Sequence, residues 1–108
     1  MSLKVTEMSF ELIDKLRPLM ASIRRKDKSL ADQLARAANS IALNLAEGEM
    51  SDPGTQRSRF FSAAGSANES RAALRLAVGW RHIQPAEAAE ARALLDRILG
   101  MLWRLTQR

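Results

Sequence analysis

Residues 29–48, Ser-Leu-Ala-Asp-Gln-Leu-Ala-Arg-Ala-Ala-Asn-Ser-Ile-Ala-Leu-Asn-Leu-Ala-Glu-Gly, decide the fold class. Leu30, Leu34, Ala37, Ala38, Ile41 and Leu45 recur at helical spacings of three and four, which places them on one face of an α-helix. Ser29 reads as its N-cap and Gly48 as the C′ residue that ends it. Ala and Leu dominate and β-branched residues are few, so strand signals are poor.

Outward from this helix, the chain is punctuated at three places. Arg24-Arg25-Lys26-Asp27-Lys28-Ser29 is a polar break before it; Gly48 with Ser51-Asp52-Pro53-Gly54 follows it; Gly79 and Pro85 mark the third. Four segments remain, about 5–23, 29–47, 55–80 and 86–107, each ~20 residues or ~30 Å long as a helix. In the first, Phe10, Ile13, Leu16, Met20 and Ile23 form the apolar set, and Pro18 is expected to kink or split the helix. The third is rich in small residues, Ser62 to Ala67, which allow close helix approach. The fourth carries Ala91, Leu94, Leu95, Ile98, Met101, Leu102 and Leu105, with Pro85 in its first turn and Glu87 and Glu90 complementing its dipole. Short connections between long helices force antiparallel neighbours. The predicted fold is all-α, an antiparallel up-and-down four-helix bundle forming one domain over residues 1–108.

Composition excludes several functions. Cysteine is absent and His82 is the sole histidine, which leaves no disulfide, no thiol chemistry and no Cys- or His-rich metal site. No apolar run approaches the ~20 residues that span a bilayer. Glu7, Glu11 and Asp14 interrupt the place where a signal peptide needs its apolar stretch, so a cytoplasmic location is expected. Seventeen Lys and Arg against twelve Asp and Glu give a formal charge of +5, which permits contact with RNA, DNA or another acidic partner.

Three groups of residues are candidates for function. Gln33, Arg36, Ser40, Asn44 and Glu47 form a polar stripe beside the apolar face of the second segment; Arg59, Ser62, Ser66 and Glu69 share a face of the third. These rows could line a site inside the bundle. The stronger reading is a hydrogen-bonded seam, since partly buried polar groups need partners. A hydrolase needs a nucleophile with an oriented base, and a di-metal bundle needs more carboxylates than Glu47 and Glu69 supply, so no enzyme activity and no cofactor are expected.

Arg24, Arg25, Lys26 and Lys28 crowd the first break with only Asp27 between them; they form either a phosphate-contacting patch or a solvated helix C-terminus, where cations are favoured anyway. Arg57, Arg59, Arg71, Arg75 and Arg81 add charge along the third segment, while aromatics are too sparse for a base-stacking platform. Trp103 lies on the side of the fourth helix opposite Leu94, Ile98 and Leu105, with Leu99 nearby, and adjacent Phe60 and Phe61 cannot face one core line. A second buried surface, hence self-association, explains both; a broad core edge is the alternative.

The second segment also resembles a known family. Leu30, Gln33, Arg36-Ala37, Ser40-Ile41, Asn44 and Ala46-Glu47-Gly48 meet the pattern L-x-x-Q-x-x-R-A-x-x-S-I-x-x-N-x-A-E-G of the 23S rRNA intervening-sequence proteins, also called four-helix bundle or S23-like proteins. Phe60, Gly65-Ser66 and Glu69 resemble that family's second element, and the likeness covers residues 30–80. Arg71 replaces a frequent second Glu, Gly79-Trp80 replaces a Gly-Tyr-like pair, and Pro18 is unusual. The resemblance implies a bundle that assembles as a homopentamer without established enzymatic activity. Relatives are encoded within rRNA intervening sequences or accompany diversity-generating retroelements, where a basic pentamer engages a reverse transcriptase and nucleic acid.

Overall fold

In the computed structural model, which describes residues 3–107, the chain forms four helices: α1 Lys4–Lys26, α2 Lys28–Glu49, α3 Pro53–Gly79 and α4 Pro85–Thr106. Each helix packs on its two neighbours in the order α1–α2–α3–α4–α1. The registers are antiparallel: Ser40 meets Ser66 and Glu47 meets Arg59 across α2–α3, and Arg57 meets Thr106 while Arg71 meets Asp96 across α3–α4. The molecule is 42 Å long and 21 Å in each cross direction, about the length of its longest helix. This is the expected all-α bundle.

The apolar face of α2 is as read, with Leu30, Leu34, Ala37, Ala38, Ile41 and Leu45 all buried. In α4 Ala91, Leu94, Leu95, Ile98 and Leu102 are buried, while Leu99, Met101 and Leu105 pack partly against the core. In α1 the buried stripe is Val5, Met8, Leu12, Leu16, Leu19 and Ile23; of the expected set Leu16 and Ile23 are buried, Ile13 and Met20 pack partly against the core, and Phe10 alone is exposed. Leu12 and Leu19, fully apolar and at helical spacing from Leu16, outcompete Phe10 for the inner face. Pro18 does not split α1, which runs unbroken through it on an exposed position.

Two caps differ from expectation. Asp27, not Ser29, caps α2, accepting from the Leu30 amide at 3.0 Å. The polar break is therefore one residue wide: Arg24–Lys26 remain helical in α1, and Lys28 already belongs to α2. Gly48 does not end α2 but is buried within it, where its missing side chain lets Phe60 and Arg59 of α3 close in. Asp52 caps α3 through the Thr55 amide; Pro85 opens α4 as predicted, and the Glu87 carboxylate of that first turn accepts from the Gln84 amide at 2.8 Å. Lys15 and Glu90 tie α1 to α4 at 3.0 Å.

Candidate functional site

The polar rows do form a seam, over part of their length. Ser66 Oγ donates to Ser40 Oγ at 2.8 Å. Asn44 Nδ2 donates to the Ser40 hydroxyl and carbonyl, and Arg59 reaches Asn44 Oδ1 at 3.4 Å and Glu47 at 2.9 Å. Ser40, Asn44, Arg59 and Ser66 are half-buried. Gln33, Arg36, Ser62 and Glu69 are exposed, and among the described residues no hydrogen bond joins them to the seam. The register that pairs Ser40 with Ser66 sets Glu69 opposite Ala37, about three turns from Glu47, so the two carboxylates do not meet. The Ser66 hydroxyl donates to Ser40, and the Ser40 hydroxyl also accepts from Asn44. His82 lies at the other end of α2, its Nε2 3.6 Å from Asp27 Oδ2.

The basic residues divide into two groups. At the α1–α2 junction, Arg24 is paired with Asp32 at 2.7 Å, and this guanidinium holds the Asp32 carboxyl below its ordinary value. Asp27 is engaged in capping α2 and in facing His82. Arg25 and Lys28 are exposed and form no ion pair among the described residues. Lys26 Nζ donates to the Arg81 carbonyl at 3.4 Å, so the α3–α4 connection folds back onto this end. Arg81 has a φ of 62°, which turns the chain from α3 toward α4. The sequence reading assigned Arg81 to the charge on the third helix; the fold places it with Arg25, Lys26 and Lys28.

The other arginines of α3 do not act as one run. Arg59 belongs to the seam, and Arg57 donates to the Thr106 carbonyl at 3.0 Å with its guanidinium 5.1 Å from the centre of the Phe61 ring. Arg71 and Arg75 line a groove between α3 and α4 together with Asn68, Arg92 and Asp96. Sequence reasoning missed this pairing of Arg75 with Arg92, because the two are seventeen residues apart and meet only through the α3–α4 register.

Phe10, Leu43 and Met50 are exposed elsewhere, and along α3 and α4 the exposed large apolar residues gather at two places. Trp103 is 66% exposed and Phe61 48%, while Phe60 is buried. Phe61 lies one turn from Arg57, and Trp103 three residues before Thr106, so both flank the α3–α4 seam toward the α2–α3 end. Leu99 packs partly against the core and is not a free surface residue. Trp80 is 70% exposed and Leu76 51%, at the basic end. No helix among the described residues is long and apolar enough to cross a membrane.

Residues 1–104 match the family model described as 23S rRNA-intervening sequence protein. No curated protein matches the chain. A crystal structure of a protein of unknown function from the S23 ribosomal protein family of Bacteroides thetaiotaomicron VPI-5482 aligns with a TM-score of 0.88 at 20% identity, covering 96% of this chain and 99% of that one. That likeness is one of fold.

Proposed function

The chain belongs to the 23S rRNA-intervening sequence protein family, and from that premise we propose that it is a cytoplasmic, non-enzymatic, homo-oligomeric bundle that binds nucleic acid through the basic end formed by the α1–α2 and α3–α4 connections. The observation that carries this reading is the gathering of Arg25, Lys26, Lys28 and Arg81 at one end, while the adjoining carboxylates Asp27 and Asp32 are already engaged. Arg25 and Lys28, which form no ion pair among the described residues, are available to phosphates, and each phosphate neutralised releases counterions. The exposed pair Phe61 and Trp103, toward the opposite end, is the face proposed for self-association. A symmetric assembly through it repeats the basic end and adds avidity without new contacts.

The test is a titration of labelled RNA at low and at moderate salt, with the native protein and with Arg25, Lys26, Lys28 and Arg81 all changed to Ala. Binding that weakens steeply with salt, and a shallower salt slope in the variant, are expected. No binding at low salt would overturn the proposal and leave a protein-interaction scaffold as the reading. Light scattering at micromolar concentration tests the assembly: an oligomer is expected for the native chain, and a smaller species for Phe61→Ser with Trp103→Ser.

A further inference from the structure

Next to the basic end, two features on the α3–α4 face adjoin each other. Arg75 from α3 and Arg92 from α4 line one groove with Arg71 and Asp96. Asp96 is taken by Arg71 at 2.9 Å, and Arg71 is further held by Asn68 Oδ1 at 3.1 Å. Arg75 and Arg92 form no ion pair among the described residues. Beyond Arg75 the surface turns apolar: Ala72, Arg75, Leu76, Gly79 and Trp80 line an open depression, so Ala72 and Arg75 belong to both features. Trp80 immediately precedes Arg81, whose carbonyl Lys26 contacts, so the depression lies at the same end of the bundle as the basic cluster.

We propose that this α3–α4 face binds single-stranded nucleic acid, with Arg75 and Arg92 holding phosphates and the exposed Trp80 ring stacking on an unpaired base. The inference rests on the nucleic-acid reading above and names the strand form it selects. Charge complementarity identifies the occupant: two guanidinium groups with no ion pair among the described residues suit an anion, and the adjoining aromatic and apolar surface suits a planar, weakly polar group. A nucleotide chain carries both at alternating positions. The groove of ≈ 260 Å³ and the adjoining depression of ≈ 610 Å³ both lie open on the surface, so a strand crossing them fits better than an engulfed small molecule. In a duplex the base faces are covered by their neighbours and cannot reach Trp80, so the face discriminates against double strands. One stacking residue in a basic groove is not an extended platform, which explains why the sparse aromatic composition did not point to it.

The experiment measures binding of a fluorescein-labelled RNA of about 12 nucleotides, single-stranded and annealed to its complement, at low salt. The native protein is expected to prefer the single strand. Trp80→Ala is expected to weaken single-strand binding about five- to hundredfold, the range measured for removing one stacked base contact, and to leave duplex binding unchanged. Trp80→Phe keeps a stacking face and is expected to restore most of the affinity. Arg75→Ala with Arg92→Ala is expected to reduce the salt dependence of single-strand binding. RNA is expected to quench the tryptophan fluorescence of the native protein and not that of Trp80→Phe. Equal binding of single and double strands, with Trp80→Ala neutral and the variant with Arg25, Lys26, Lys28 and Arg81 changed to Ala defective, would overturn this inference while the basic-end reading stands. Absence of RNA binding by the native protein would overturn both. A change in oligomeric state caused by Trp80→Ala would assign Trp80 to a second copy of the chain and also overturn the inference.

Discussion

The ring edge of Phe60 rests on the backbone of Gly48: a Cβ at position 48 would stand 3.1 Å from Phe60 Cε1 and 3.2 Å from Arg59 Cβ. Gly65, by contrast, has nothing within 4 Å of the equivalent point. The two glycines therefore respond oppositely to substitution. Gly48→Leu is expected to destabilise the bundle by about 1–3 kcal/mol through overpacking. Gly65→Ala is expected to stabilise it by about 0.5–1 kcal/mol, because a helix-interior glycine is replaced with no collision. Urea midpoints of the two variants against the native chain check both signs.

The Ser40–Ser66 bond is the centre of the α2–α3 seam, with Asn44 as a second partner for Ser40. A double-mutant cycle of Ser40→Ala and Ser66→Ala is expected to give a coupling of about 0.5–1.5 kcal/mol, the net value of one neutral hydrogen bond. The Arg59–Glu47 pair is partly solvated on both sides. Its cycle is expected to give less than about 1 kcal/mol. A larger coupling for the ion pair than for the serines would contradict this ordering.

Asp52 accepts from the Thr55 amide and then from the Thr55 hydroxyl, and these bonds hold its carboxyl below the ordinary value of 3.8. A carboxyl lowered in the folded state stabilises fully above its unfolded value, and that contribution is lost as the pH falls through the lower, folded value. Asp52→Asn keeps an N-cap acceptor but cannot titrate. Stability at neutral pH is expected to change little, and the loss of stability below 3.8 is expected to be shallower in the variant. Urea unfolding across the acidic range reads the difference.

Pro18 sits on an exposed position in the interior of α1. It has no amide to offer the carbonyl of Asp14, and its ring crowds that turn. Pro18→Ala is expected to stabilise the protein by about 1–3 kcal/mol, raising the melting temperature by roughly 4–8 °C for each kcal/mol in a domain of this size.

The helices were legible because their apolar residues recur with the helical period, and most strongly in α2, where six apolar positions on one face are all buried. The register of α1 was harder. Phe10 competes with Leu12 and Leu19 on pattern alone, and only the positions of α2 and α4 decide which face turns inward. The seam could be read where both rows are half-buried, at Ser40, Asn44, Arg59 and Ser66, and was overextended to Gln33, Arg36 and Glu69, which solvent satisfies. Gly48 looked like a terminator because glycine most often ends helices locally; its closeness to Phe60 is a tertiary fact. The joining of Lys26 to the Arg81 carbonyl, and of Arg75 to Arg92 in one groove, depends on chain reversals whose geometry no local pattern records.

Asp27 is the whole connection between α1 and α2. Closing a loop of one residue costs the chain almost none of the configurational entropy that a longer closure demands, so these two helices can dock as soon as they form. The α1–α4 contacts lie at the other extreme, joining Lys15 to Glu90 across most of the chain. Folding is expected to begin at the Asp27 hairpin and to finish at the α1–α4 seam. Amide exchange would show α4 opening before the hairpin does, which makes the last helix to dock the first to let go.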